Sequence, residues 1–347
     1  MKTDNGFRLA GVLVGGVAAT LLTAAMLLTA GWVRPPIEGV QTGFRGTGQD
    51  QLISAKDKRI LEAANALPEG VDKASPGGER ATSAYKNVKI LTDLSTEEFN
   101  RVMIAITQWV APEQGCAYCH NTENLADDGL YTKVVARRML DMTRHINKSY
   151  TAHVADTGVT CYTCHRGQPV PTNIWYENPG ERHAGGMSAH NYGFGHPSKS
   201  NGLTGMSVDP FTPHLFDDEK IRVQSTTALP AAAKASIQQT EQTYSLMIHM
   251  SEALGVNCTF CHNSRNWCSW KESNPQRVVA WHGLEMMREL NAAYLEPLSS
   301  IYPANLLGSQ GDAPKANCAT CHQGANKPLL GQSMAKDFPE LGGKPAQ

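Results

Sequence analysis

The 347-residue sequence predicts a mainly α-helical chain with much irregular structure, two internally repeated halves and one N-terminal transmembrane helix. Three observations predict it. The pattern Cys-x-x-Cys-His occurs four times, at Cys116 to His120, Cys161 to His165, Cys258 to His262 and Cys318 to His322. Stretches around the first two copies recur around the last two. A run of 25 uncharged residues, Leu9 to Val33, precedes everything else.

Cys-x-x-Cys-His is the attachment signature of c-type haem. Two thiols add to the haem vinyl groups, and the adjacent histidine is carried under the iron as fifth ligand. The expected attachment residues are Cys116, Cys119, Cys161, Cys164, Cys258, Cys261, Cys318 and Cys321, and the iron ligands beside them are His120, His165, His262 and His322. Four covalently bound haem c groups follow. Eight cysteines would also suit two four-thiolate zinc sites, but zinc does not call for a histidine after every second cysteine. The fold class is therefore a multihaem cytochrome c, with two pseudo-twofold related dihaem halves behind the N-terminal helix. Cys268, the ninth cysteine, reads as a small buried apolar residue. A net charge of −1 gives no basic footprint, so no nucleic-acid partner is expected.

The first element, residues 1–34, reads as a cytoplasmic N-terminus and a membrane anchor. Its 25 uncharged residues exceed the roughly 20 needed to span a bilayer. Lys2 and Arg8 precede the run and Arg34 closes it, which keeps the N-terminus cytoplasmic and sends the rest across. The run also exceeds the usual apolar region of a cleaved signal peptide, about 7–15 residues, so a retained anchor is expected over cleavage. Leu28-Thr29-Ala30-Gly31 looks like a lipoprotein signal, but Trp32 stands where a cysteine would be needed. Haem attachment of this type takes place outside the bacterial cytoplasm. The haem domain is accordingly placed on the periplasmic side of the inner membrane.

Residues 35–93 read as an irregular periplasmic arm with one helical patch, Asp57 to Leu67. Residues 94–172 form the first half, with motifs 1 and 2. Residues 173–237 form a connector, in which His183, His190, His196 and His214 read as loop residues. Residues 238–330 form the second half, with motifs 3 and 4, and 331–347 a polar C-terminal tail, either on the surface or a contact arm. The halves match closely. Val102-Met103-Ile104 corresponds to Leu246-Met247-Ile248, and Val134-Val135-Ala136 to Val278-Val279-Ala280, both at an offset of 144. In that register Asp141, Met142, Arg144, Asn147 and Tyr150 meet Glu285, Met286, Arg288, Asn291 and Tyr294. Amphipathic helices are expected over Glu97 to Val110, Val134 to Tyr150, Ile237 to Leu254 and Val278 to Tyr294. Ser95 and Glu98 fit a capping box for the first, and Gly255 ends the third.

An electron-transfer haem needs a second axial ligand, where a thioether raises the potential and an imidazole lowers it. Met103 and Met247 share one repeat position, on helices before motifs 1 and 3. Met139 holds the matching place before motif 2. Its partner is Gly283, so haem 4 has no equivalent methionine. Met286 and Met287 read as core. A histidine outside the motifs must serve haem 4, and spacing leaves His153, His145, His249 and His282 open.

These residues together resemble the tetrahaem cytochrome subunit of purple-bacterial photosynthetic reaction centres, over roughly residues 35–330. The resemblance implies three His/Met haems and one bis-histidine haem. It places the methionines 17, 26 and 15 residues before their motif histidines, at Met103, Met139 and Met247. It places the last ligand 12 residues before the second motif histidine, at His153. It implies docking on the periplasmic face of the L and M subunits, in a complex that also holds H and a light-harvesting antenna. Electrons would enter from a soluble donor, a small c-type cytochrome or a high-potential iron–sulfur protein. They would leave from haem 3 to the photo-oxidised bacteriochlorophyll pair. Arg277 matches an arginine linked to a high potential at haem 3. Trp32 departs from the lipidated cysteine of many members, which changes the anchor and not the electron chemistry.

The expected role is thus an electron-carrier subunit, not an enzyme. The alternative is a membrane-anchored tetrahaem quinol dehydrogenase or a reductase partner, and the helix methionines in register argue against it. Glu113, Glu123, Asp127 and Asp128 cluster around motif 1, as a donor-steering patch or an ordinary solvated face.

Overall fold

The computed structural model describes residues 4–30, 36–43, 48–178, 197–223 and 235–342. Trp32, Arg34, His183, His190 and His196 lie outside these residues. The chain divides into two compact units, residues 1–40 with 52–59, and residues 41–51 with 60–347.

The first unit is dominated by helix α1, Asp4–Thr29. Within it Gly11–Thr29 has a mean hydropathy of 2.1, and none of that stretch is buried by protein. A fully exposed apolar helix of this length matches a bilayer rather than a protein core. Strands β1, Ile37–Thr42, and β2, Gln49–Ser54, form a two-stranded sheet, and α2, Ala55–Ala64, follows.

The second unit is mostly helical with long irregular connections. Helix α3, Thr96–Val110, starts at the expected Ser95/Glu98 capping box. Helix α4 is Tyr131–Ser149, α5 is Ile237–Leu254 and α6 is Gln276–Glu289. The α6 rod continues through a wider π turn, Leu290–Leu295. Gly255 closes α5 at φ +62°, a left-handed cap that a residue with a Cβ adopts only at a cost.

Two apolar clusters carry the unit. The first joins Val102, Ala105 and Trp109 of α3 to Leu140 of α4, and adds Leu329, Met334, Phe338 and Leu341. The second joins Leu246 of α5 to Leu284, Met286 and Met287 of α6, and adds Ile146, Trp175, Phe211 and Leu215. Met286 and Met287 are core, as their register suggested.

Two expectations need correction here. The described part of the C-terminal tail is core and not surface. Phe338 stacks edge-on against Trp109 with centroids 4.6 Å apart, and Glu340 pairs with Arg101 at 3.1 Å in full burial. Met334, Phe338 and Leu341 stand four and three apart, a helical spacing, but Pro339 breaks the pattern and the residues between are mostly polar, so the segment reads as a tail. The connector is also partly core, since His214 is 1% exposed and Leu215 is fully buried. The irregular arm, which has no core of its own, contributes Ala81 and Leu91 to the interior. Few apolar residues suffice when each is buried completely.

A candidate four-site haem scaffold

Each motif is built by a tight local turn. Motifs 2 and 4 are one-turn helices, Cys161–His165 and Cys318–His322. Motifs 1 and 3 use 3-10 turns, Gly115–Tyr118 and Cys258–Phe260. In motifs 1 and 3 the histidine N–H donates to the first cysteine's carbonyl at 3.0 Å. Such turns bring both sulfurs and the imidazole to one side of the chain.

All four motif histidines are oriented in the same way. Nδ1 of His120 donates to the Leu125 carbonyl at 3.1 Å, and Nδ1 of His262 to the Trp267 carbonyl at 2.9 Å. Nδ1 of His165 donates to the Gln168 carbonyl and Nδ1 of His322 to the Ala325 carbonyl, both at 2.9 Å. A carbonyl can only accept, so Nδ1 carries the proton and Nε2 keeps its lone pair. This is the outer-shell bond that fixes the tautomer of a metal-binding imidazole. Burial also pushes the His165, His262 and His322 imidazoles below their ordinary pKa, His322 to about 4. They stay neutral and able to ligate.

Motifs 2 and 4 meet. The Cα atoms of Cys164 and Cys321 are 4.3 Å apart and their sulfurs form a disulfide. A sulfur in a disulfide cannot also carry a thioether, so this bond and haem attachment exclude one another at these two residues. The surrounding contacts are reciprocal. Arg166 Nη2 donates to the Cys321 carbonyl, and Gln323 Nε2 to the Cys164 carbonyl, each at 3.5 Å. Both residues follow their motif histidine with left-handed φ, 51° and 48°. Gly167 N donates to the Trp109 carbonyl and Gly324 N to the Ala253 carbonyl, both at 2.8 Å. Sequence reading missed the contact between these motifs, because no local signal reports it.

A largely apolar cavity of ≈ 600 Å³ runs along motifs 2 and 4, and Met139, His153 and Gly283 also line it. An apolar cleft with cysteines and neutral imidazoles on its wall fits a large flat macrocycle held covalently. Met103 and Met247 are partly buried, against the first and second apolar clusters respectively.

The four candidate histidines separate clearly. His153 faces His322, with ring centroids 6.0 Å apart, and its Nδ1 donates to the Val279 carbonyl at 2.9 Å. Both rings line the same apolar cavity, so a group held there would meet both imidazoles. His145 instead pairs with Glu289 at 2.9 Å, and His282 with Glu285 at 3.2 Å. His249 is buried against the Phe211 ring, with centroids 4.6 Å apart.

Arg277 lies beside motif 3. Its guanidinium stands 4.1 Å over the Trp270 ring and donates to Ser269 O and Ser273 Oγ. Its positive field helps lower the His262 pKa and opposes the burial that raises Cys261. Cys268 is half-buried, not buried as expected. Asp128 is held by Arg137 at 2.8 Å, Lys89 at 3.1 Å and Lys133 at 3.2 Å. Hydrogen bonds from Arg137 and Asn87 above all keep its carboxyl well below the usual range. It therefore adds little to an acidic patch, because three cations already answer it.

Residues 33–342 match a family model described as photosynthetic reaction centre cytochrome C subunit. The chain is 48% identical over 328 residues to a photosynthetic reaction center cytochrome c subunit of Rubrivivax gelatinosus, covering 94% of this chain and 89% of that one. It is 42% identical over 323 residues to the subunit of the same name from Thermochromatium tepidum, covering 92% and 79%. It is 40% identical over 366 residues to that of Roseobacter denitrificans, covering 98% and 95%.

Proposed function

We propose, from the premise that this chain belongs to the photosynthetic reaction centre cytochrome c subunit family, a specific assignment of its haem sites and electron path. The chain is an electron-carrier subunit of the reaction centre and not an enzyme, and it holds covalently bound haem c. Its single N-terminal apolar helix fits a membrane anchor.

The proposal adds the finer points. Four haems are attached, at Cys116/Cys119, Cys161/Cys164, Cys258/Cys261 and Cys318/Cys321. His120, His165, His262 and His322 are their proximal ligands. Met103, Met139 and Met247 complete the first three sites, and His153 completes the fourth. Cys164 and Cys321 must be free thiols at the moment of attachment. Haem supplies the reversible one-electron couple, and the chain sets its potential through ligand type, burial and charge.

The chain is two pseudo-twofold dihaem halves, 94–172 and 238–330. The remaining segments are the anchor at 1–34, the arm at 35–93, the connector at 173–237 and the C-terminal 331–347. The contact between motifs 2 and 4 puts these sites next to each other, so the path reads 1–2–4–3. Electrons enter near motif 1 from a soluble periplasmic donor, either a small c-type cytochrome or a high-potential iron–sulfur protein. They leave near motif 3 for the bacteriochlorophyll pair held by L and M, with H and the antenna in the same assembly. The haem domain lies on the periplasmic side of the inner membrane.

The observation that carries this reading is the common Nδ1–carbonyl bond of the four motif histidines. The test is a spectroelectrochemical titration of the purified protein, with haem counted per chain. Four low-spin steps are expected, three high and one lower. Fewer than four haems, four uniformly low steps or a high-spin component would overturn it.

A further inference from the structure

Position 283 is where two repeat-equivalent helices differ in kind. Helix α4 carries Met139 there and α6 carries Gly283. Every helical Cα–Cβ bond tilts toward the N-terminus, so a side chain covers the turn before its own residue. At 283 that turn presents the carbonyl of Val279. A helical carbonyl accepts one N–H from four residues on, and a second lone pair remains. Without a Cβ above it, that lone pair is open to a partner from outside the helix.

His153 takes that place. Its Nδ1 donates to the Val279 carbonyl at 2.9 Å. A Cβ built on Gly283 would stand 2.5 Å from His153 Cε1, 2.8 Å from Nδ1 and 3.1 Å from Nε2. The imidazole therefore fills the volume that any other residue at 283 would occupy with its side chain. The same helix turn supplies the acceptor that fixes the tautomer and the gap that admits the ring. His153 itself comes from Thr151–Val154, the single turn after α4, where its N–H donates to the Tyr150 carbonyl at 2.8 Å. The ring thus reaches motif 4 from the chain of the first motif pair.

We propose that Gly283 is the positioning residue that selects an imidazole over a thioether at motif 4: its missing side chain forms the socket in which His153 is oriented toward His322. This rests on the reading of His153 as the distal ligand there. The corresponding position in α4 carries Met139, which lines the same cavity, so one repeat position sets both ligand types.

Four variants of the full-length haem-loaded protein test it, read by redox titration and by electron paramagnetic resonance of the low-spin signals. His153→Ala tests the underlying assignment. It is expected to move the lowest step or make one haem high-spin, and an unchanged lowest step would overturn the assignment itself. Gly283→Ala tests the socket. It is expected to shift or lose that same low-spin signal while the other three steps stay in place. Four unmoved steps in Gly283→Ala, with His153→Ala active on the lowest one, would overturn the socket alone. If Gly283→Ala fails to load haem, His153→Ala/Gly283→Ala removes the ring that the new methyl strikes. Recovery of three unaltered haems supports the socket, and no recovery counts against it. The fourth variant, His153→Ala/Gly283→Met, is expected to regain a low-spin fourth haem with its step raised toward the other three. A fourth haem that stays high-spin would overturn the claim that position 283 chooses the ligand.

Discussion

Two segments from different parts of the chain sit as lids on repeat-equivalent helices. Pro339-Glu340-Leu341 lies on α4, and Pro213-His214-Leu215 on the α6 rod. The sockets beneath them are repeat-equivalent. Arg144 Nε donates to the Glu340 carbonyl at 3.0 Å, and Arg288 Nε to the His214 carbonyl at 2.8 Å. Asn147 Nδ2 reaches the carbonyls of Leu341 and Val159, and Asn291 Nδ2 those of Leu215 and Ala316. Each asparagine thus ties a lid to the residue that leads into a motif. The second lid precedes its half in the chain, whereas the first lid comes last of all. One socket accepts the same Pro-x-Leu shape from either direction, because backbone carbonyls and one leucine are all it reads.

The middle residue is where the lids part. Glu340 is buried against Arg101, whereas His214 occupies its place as a buried imidazole. The first lid is therefore held by charge and the second by a group that must stay neutral. Breaking the charge pair should have the largest effect. Glu340→Ala leaves the Arg101 guanidinium buried without its partner, and a loss of about 3–5 kcal/mol is expected by chemical denaturation. A loss under about 1 kcal/mol would mean that carbonyls alone hold Arg101.

The shared leucine comes next. Leu215→Ala and Leu341→Ala each empty a fully buried site and should cost about 2–5 kcal/mol, alike to within the scatter of such changes. Markedly unequal losses would show that one lid is only loosely seated. The asparagines sharpen the comparison further. Asn147→Ala and Asn291→Ala each strand buried backbone groups, at about 1–3 kcal/mol. Asn147→Ala should lower haem retention at motif 2 and Asn291→Ala at motif 4, read as haem per chain in peptide maps. Losses spread evenly over all four motifs would sink the link between lid and motif.

The last test is the dependence on pH. Burial holds the His214 imidazole down at about 4, the Arg288 charge adds to that, and the Glu219 backbone opposes both. Its unfolded value is about 6.5. The unfolded chain binds this proton first, so its contribution is complete above pH ~6.5 and is lost as the pH falls toward 4. His214→Leu should flatten the fall in denaturation midpoint across that window. An unchanged slope would assign the acid sensitivity to other groups.

The local chemistry was legible in the chain. Ser95 and Glu98 announced the cap of α3, Gly255 the end of α5, and the register of Asn147 with Asn291 the common geometry beneath both lids. The lids themselves were not. Pro339-Glu340-Leu341 repeats Pro213-His214-Leu215 out of chain order, and three residues are too few to stand out without the socket that reads them.

What the sequence determined by itself is whatever depends on neighbours along the chain. Four thiol pairs with their histidines, a helix that caps and ends where it should, and a run apolar enough for a bilayer all follow from residues within a few turns of one another. Tertiary structure alone decided which distant groups meet. Motif 2 touches motif 4, the C-terminal residues pack on α3 and α4, and His153, which residue spacing alone left level with His145, His249 and His282, stands opposite His322. Composition leaves those four imidazoles equivalent. Packing separates them, because only one lies where a glycine has left its volume open.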